Sequence, residues 1–236
     1  MLEIKNVTKK YGNKVAVNNV SLTVNDGEIF GFIGPNGAGK TTLIKAIACI
    51  HDFDEGEIII NNKSLKNNEM LCKKEIAYIP DNPDIYQNLT GIEYLNFVCD
   101  IYEVAKEERK NLIEKYAKDF GIFNNLGDLI ESYSHGMRQK LVLISAFIHK
   151  PKLLILDEPF VGLDPSASKI LKDLMKELTK EGGIIFFSSH VLEVVEKLCD
   201  KIAIIKDGII VKSGDMESVI KDKNLETVFL GLANEK

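Results

Sequence analysis

Nine consecutive residues, Gly34-Pro35-Asn36-Gly37-Ala38-Gly39-Lys40-Thr41-Thr42, have the types and spacing to hold a phosphate chain. They read G-x-x-x-x-G-K-T, the P-loop pattern. Glycines let backbone N–H groups turn toward an anion at close range. A helix beginning near Gly39 adds unpaired N–H groups and the positive end of its dipole. Lys40 then reaches β- and γ-phosphates, and the Thr41 hydroxyl can ligate Mg2+. Three further residues could carry out the reaction. Asp157 and Glu158 end the apolar run Leu153-Leu154-Ile155-Leu156, and His190 follows Ile184-Ile185-Phe186-Phe187-Ser188-Ser189. In open α/β sheets, ligands bind beyond the carboxyl ends of strands. An Asp there can hold Mg2+, and its neighbour Glu158, pointing elsewhere, can orient or deprotonate a water. His190 stands on the same kind of edge, within reach of a terminal phosphate.

These side chains need strands and helices to hold them. Glu28-Ile29-Phe30-Gly31-Phe32-Ile33 reads as a buried strand ahead of the glycine loop. Leu43, Ile44, Ala46, Ile47 and Ile50 follow it at helical spacing. Val15, Val17, Val20, Leu22 and Val24 lie in a largely alternating segment, closed by the turn Asp26-Gly27. Further strands are expected over 56–60 and 76–79. From about 84 to 150 the pattern turns helical. Thr90 with Glu93 makes a capping box, and Leu112, Ile113, Tyr116 and Phe120 form an apolar stripe. From 152 strands and helices alternate again. Asp164-Pro165 is an N-cap and first-turn pair, and Gly182-Gly183 a stop. Lys206-Asp207-Gly208 joins two apolar runs as a hairpin.

Composition narrows the function classes. With 236 residues, 45% of them hydrophobic, the chain can build one or two compact domains. The net charge of −5 supplies no basic field, so nucleic acid is not an expected partner. No apolar run reaches the ~18 residues a membrane span needs. Met1-Leu2-Glu3-Ile4-Lys5-Asn6 is too polar for a signal peptide. Cys49, Cys72, Cys99 and Cys199 have no paired spacing, which points to reduced thiols. An intracellular, soluble chain is expected.

A second segment, Tyr133-Ser134-His135-Gly136-Met137-Arg138-Gln139-Lys140-Leu141, offers another helix start. Ser134 is a natural N-cap, Gly136 permits close approach, and the helix should run from about 137 to 148. One triphosphate already has one cradle, so a second cradle suggests joint use across a dimer. Tyr11, before Gly12, is either an ordinary turn tyrosine or an aromatic face on which a base can stack.

Taken in order, these residues resemble the ATP-binding subunit of ABC transporters over nearly the whole chain. Tyr11 stands where that family stacks adenine. Gly34 to Thr42 matches its Walker A pattern, with Gly34, Pro35, Asn36, Gly37, Ala38, Gly39, Lys40, Thr41 and Thr42 binding ATP. Leu153 to Glu158 matches Walker B with the catalytic Glu158, Gly162-Leu163-Asp164 its D-loop, and His190 its switch histidine. Ser134 and Gly136 stand in its signature. The resemblance implies an α/β fold: a P-loop NTPase core with a parallel sheet, an N-terminal antiparallel β region and an inserted α-helical subdomain. The core would span about 1–83 and 151–236, the subdomain about 84–150. It also implies ATP hydrolysis with Mg2+ held by Thr41 and Asp157, a head-to-tail dimer with a second ATPase subunit, and a membrane permease on a separate chain. The location implied is the cytoplasmic face of the membrane.

Three residues depart from the family pattern. Asp81 replaces the glutamine expected after Ile79-Pro80 and is expected to sense Mg2+ with an added charge. His135 and Met137 replace a glycine and a glutamine of the signature. Tyr-Ser-x-Gly-Met-Arg-Gln-Lys and Pro80-Asp81-Asn82-Pro83 look more like bacterial exporter subunits than importer subunits. An importer subunit is the nearest alternative, followed by a soluble ATPase outside transport. Against the latter, the stretch between Lys40 and Ser134 is too short for the long coiled coil of repair-type members. Tyr86, Tyr94 and Phe97 read either as a docking groove for the permease or as core of the helical subdomain.

Overall fold

The short, fully apolar runs of the sequence become the centre of the molecule. A computed structural model describes residues 1–234. Strands β1 (Leu2–Tyr11) and β2 (Lys14–Val24) form a hairpin; β3 (Ile29–Ile33) leads into the glycine loop and α1 (Lys40–Ile47) leaves it. β4 (Glu55–Ile60), β5 (Lys63–Ser64), α2 (Glu69–Glu75) and β6 (Ile76–Ile79) follow. The helical stretch holds α3 (Gly91–Ile101), α4 (Lys106–Asp119) and α5 (His135–Ile148). Then come β7 (Leu153–Asp157), α6 (Pro165–Lys180), β8 (Ile184–Ser188), α7 (Leu192–Leu198), β9 (Lys201–Lys206), β10 (Ile209–Asp215), α8 (Met216–Ile220) and α9 (Leu225–Asn234). Helix α2 and the terminal pair α8 and α9 carry no signal in the sequence reading above.

Among the described residues there are two sheets. An antiparallel one has the order β2-β1-β4-β5, and a six-stranded one the order β10-β9-β3-β8-β7-β6. In the second, β9, β3, β8, β7 and β6 run parallel and β10 turns back along β9. This is the expected P-loop α/β core with its antiparallel region. Parallel strands must be covered on both faces, and period-two alternation decides which residue meets which layer. Leu153, Ile155, Ile184 and Phe186 join α1 and the antiparallel sheet in one core cluster. Leu154, Leu156, Ile185 and Phe187 join α3 to α7 in the other. Phe186 anchors the first cluster, its ring 5.5 Å from Phe30 and 5.3 Å from Phe32. Burying each such side chain contributes roughly 1.5–3 kcal/mol.

Register sets the functional edge. β7 and β8 pair so that Asp157 lies opposite Ser188. β3 pairs with β8 through Phe32 and Ser188, and the glycine loop starts two residues beyond Phe32. The carboxyl ends of three strands thus converge beside the start of α1.

Candidate active site

The glycine loop packs against its neighbours where a side chain would not fit: a Cβ on Gly34 would lie 2.3 Å from the Ile205 carbonyl oxygen. Gly39 caps α1 at φ +105°, and a Cβ there would fall 2.3 Å from the Ala16 carbonyl oxygen. A larger residue would push β2 away and strain the turn. No side chain caps α1, so its leading N–H groups stay free for an anion. The Lys40 Nζ donates to the carbonyls of Gly34 (2.6 Å) and Pro35 (3.2 Å). Burial holds its ammonium below the usual lysine range, while Glu158 and Asp157 work the other way. That opposition puts both carboxylates within electrostatic reach of the loop.

Asp157 is buried, 4% exposed. Its two oxygens are each engaged: the Thr41 Oγ1 donates to Oδ2 at 3.2 Å and the Ser188 hydroxyl donates to Oδ1. Thr41 comes from the helix after β3, Asp157 from the end of β7 and Ser188 from the end of β8. Thr41 and Asp157 present hard oxygen donors side by side, which suits Mg2+ held by one or two side chains with phosphate oxygens completing the shell. Among the described residues no group of three His, Cys, Asp or Glu side chains could hold an ion alone.

Glu158 turns the opposite way. Its φ is +52°, an uncommon value for a residue with a Cβ, while its N–H still donates to the Ser188 carbonyl at 3.1 Å. The twist hands its carboxylate to His190, whose backbone N–H (3.1 Å) and Nδ1 (2.8 Å) both meet Oε2. A carboxylate only accepts, so Nδ1 carries the proton. Oε1 stays available to take a proton from water.

Tyr11 ends β1 and borders a cavity of about 270 Å³ that it shares with Lys14, Asn36, Lys40, Thr41 and Thr42. The aromatic ring and the phosphate loop therefore open onto one space. Asp81 lies in the loop after β6, exposed, its carboxylate capping the Asn82 N–H at 2.8 Å. It is outside the Thr41–Asp157–Ser188 network, although Tyr78 senses both Asp81 and Asp157, which add to the burial that raises its phenol.

The signature segment lies elsewhere. Ser134 caps α5 by accepting the Met137 N–H at 3.2 Å, and the helix begins at His135, directly after the cap rather than near Met137. A Cβ on Gly136 would lie 2.9 Å from the Gly162 carbonyl oxygen, and one on Gly162 would lie 2.6 Å from the His135 ring. Lys140 donates to Asp164 at 2.6 Å, and Asp164 caps α6 through the Ala167 N–H at 2.8 Å. That lysine holds the Asp164 carboxyl below the usual carboxylate range. Among the described residues no hydrogen bond joins Ser134 or Gly136 to the glycine loop. The chain thus presents two separate edges: a phosphate edge and a signature edge strapped to the Gly162–Asp164 turn.

Sequence reading did not assign roles to Ser188, Lys140 or His51. Ser188 had a usable signal, a hydroxyl at a strand end just before His190. Lys140 had none, since its partner is 24 positions away. Tyr86, Tyr94 and Phe97 divide between the two readings: Tyr94 is buried, whereas Tyr86 and Phe97 are 57% and 42% exposed and meet edge to face at 5.6 Å.

A family model described as ABC transporter matches residues 17–161. The chain is 38% identical over 228 residues to the ABC transporter ATP-binding protein YhcH of Bacillus subtilis, covering 96% of this chain and 72% of that one. It is 35% identical over 214 residues to the linearmycin resistance ATP-binding protein LnrL of the same organism, covering 91% and 69%. The solved ATP-binding subunit of an ABC transporter superposes with a TM-score of 0.95 at 30% identity, over 99% of this chain and all of that one. Strand order, loop geometry and relatives agree: the chain belongs to the ABC transporter family, as one of its ATP-binding subunits.

Proposed function

We propose that the chain is the ATP-hydrolysing subunit of a membrane exporter, working as a head-to-tail dimer. The observation that carries the hydrolytic reading is the convergence of Lys40, Thr41, Asp157, Glu158 and His190 on one sheet edge. Gly34 to Thr42 cradle the phosphates with backbone N–H groups, and Lys40 leaves its loop carbonyls for phosphate oxygens. Thr41 and Asp157 would hold Mg2+, with Asp81 sensing it from the next strand end; the ion would supply charge neutralisation for the phosphate chain. Oε1 of Glu158 accepts the proton of the attacking water while His190 fixes Oε2 and faces the terminal phosphate. Tyr11 stacks on adenine.

The dimer reading is supported by the separation of the two edges. Ser134 spends an acceptor lone pair on Met137, which leaves its O–H to donate across an interface. With Gly136 and Asp164 it would close the ATP bound to a sister chain. Tyr86 and Phe97 form an apolar patch on which a permease chain could seat, at the cytoplasmic face of the membrane. No helix among the described residues is long and apolar enough to cross a membrane. The export direction draws on the exporter-like Tyr133 to Lys140 motif and on the resistance function in the name of LnrL.

The test is Glu158→Gln in the full chain. ATP binding should persist while ATPase activity falls at least ~100-fold, the contribution of a general base. Wild-type activity should rise more than linearly with protein concentration. Full activity in the variant, or a strictly linear rise at concentrations where the chain is monomeric, would overturn the reading.

A further inference from the structure

We propose that His51 is a positioning residue for nucleotide binding: it holds the Tyr11 ring at the mouth of the phosphate-loop cavity and ties it to the turn that follows α1. The inference rests on the base-stacking reading of Tyr11 and deepens it. Tyr11 is 51% exposed at the end of β1, where a phenol would otherwise sample several rotamers. Two contacts restrain it. Its hydroxyl meets the His51 Nε2 at 3.2 Å, with the rings edge to face at 6.2 Å and 89°. The Lys9 ammonium stands 5.4 Å from its centroid, over one face.

Chemistry fixes the direction of the first contact. The other imidazole nitrogen, Nδ1, lies 3.2 Å from the Asp52 carbonyl oxygen. A carbonyl only accepts, so in the neutral ring Nδ1 carries the proton and Nε2 is left with a lone pair. The Tyr11 O–H therefore donates to His51. A bond to the hydroxyl places the imidazole at the tip of the phenol, not over its faces. With Lys9 over one face, the other is left for a base, and the ring borders the cavity that holds Lys40 and Thr41.

The location of His51 gives the contact its consequence. It sits just past α1, the helix whose first residues are Lys40 and Thr41, and is 40 positions from Tyr11. Helix α1 thus bears the phosphate ligands at its start, and the turn that leaves its end carries the tether of the base platform. Phosphate and base subsites are held at a fixed distance before the nucleotide arrives, which removes the cost of ordering an exposed aromatic on binding.

Calorimetric titration of the full chain in EDTA tests this with two probes, ATP and inorganic tripolyphosphate. Tyr11→Ala should weaken ATP about 10-fold, the order of one base–aromatic stack. His51→Ala and Tyr11→Phe should each weaken ATP about 3-fold, the order of one neutral hydrogen bond, and the double variant no more than either alone. His51→Gln, which keeps an acceptor for the phenol, should restore most of the affinity. Tripolyphosphate should bind all variants alike. Wild-type ATP affinity in Tyr11→Ala would remove the base-stacking reading and this inference with it. Weakening in Tyr11→Ala but none in His51→Ala would overturn the inference alone. Equal weakening of tripolyphosphate in His51→Ala would also overturn it, since the effect would then come from α1.

Discussion

The phosphate edge and the signature edge are built by opposite means. At the phosphate edge three strand ends and a helix start meet, and the Asp157 carboxylate is buried with both oxygens bonded. At the signature edge one exposed serine caps one helix, and a single lysine–aspartate pair holds the neighbouring turn. The first edge is enforced by the core beneath it, so changing its buried members, Asp157 and Ser188, disturbs packed strands. The second is enforced locally, by a cap, a close backbone approach and an ion pair. On the signature reading, this local construction accommodates His135 and Met137 while Ser134 keeps the cap and Gly136 the close approach. The helix start needs the cap and the missing Cβ, and Gly162 leaves the His135 ring its space.

The sharpest way to break the comparison is Gly136→Ala. Its methyl would press on the Gly162 carbonyl, 2.9 Å away, without touching the glycine loop. We expect ATPase activity to drop about 100-fold, the scale of losing one set of oriented donors, with ATP binding by the isolated chain intact. Loss of ATP binding as well would show that the two edges are not independent. Ser188→Ala attacks the other edge. It leaves a buried charged acceptor without its donor, so urea unfolding should report a loss of about 1.5–3 kcal/mol, accompanied by weaker Mg2+-ATP binding. An unchanged midpoint would mean that water replaces the hydroxyl and the edge is less enforced than its packing implies.

Asp81→Gln probes the loop after β6, the strand beside β7. Removing a carboxylate from the end of β6 should raise the Mg2+ concentration for half-maximal ATPase by about 3-fold, an effect of one partly screened charge. An unchanged Mg2+ optimum would place Asp81 outside the metal's reach. The smallest effect concerns stability at mildly acid pH. His149 follows α5, stacked on Tyr102 at 3.7 Å, and burial lowers its pKa from the usual value. A histidine with a lowered folded pKa contributes its full stability above the unfolded value, near 6.5, and loses it as pH falls toward the folded one. Thermal melts should therefore weaken from about pH 6.5 downward, and His149→Gln should flatten that slope. An identical slope in the variant would assign the pH dependence to other groups.

Much of the core was readable because its signals are local. The glycine loop, the capping box at Thr90 and Glu93, the Asp164 cap and the Lys206–Gly208 turn each need only a few neighbouring residues. All four form as those residue types require. Helix α2 was not readable: its exposed face carries Met70 and Leu71, 69% and 52% exposed, so apolar periodicity points the wrong way. Tyr86, Tyr94 and Phe97 looked alike for a related reason. Hydropathy does not distinguish an aromatic that packs from one left on the surface, and only the helix's rotation against α5 turned Tyr94 inward.

By itself, then, the sequence determined the core strands, the phosphate loop, the capped helices and the order of the chemical groups, because each is specified by residues within one turn or one strand. The tertiary structure decided the partnerships: Ser188 with Asp157, Lys140 with Asp164, and His51 with Tyr11, at separations of 31, 24 and 40 positions. Such pairs depend on strand register and on where a helix end comes to rest. Those are properties of the packed core, which no short stretch of chain encodes.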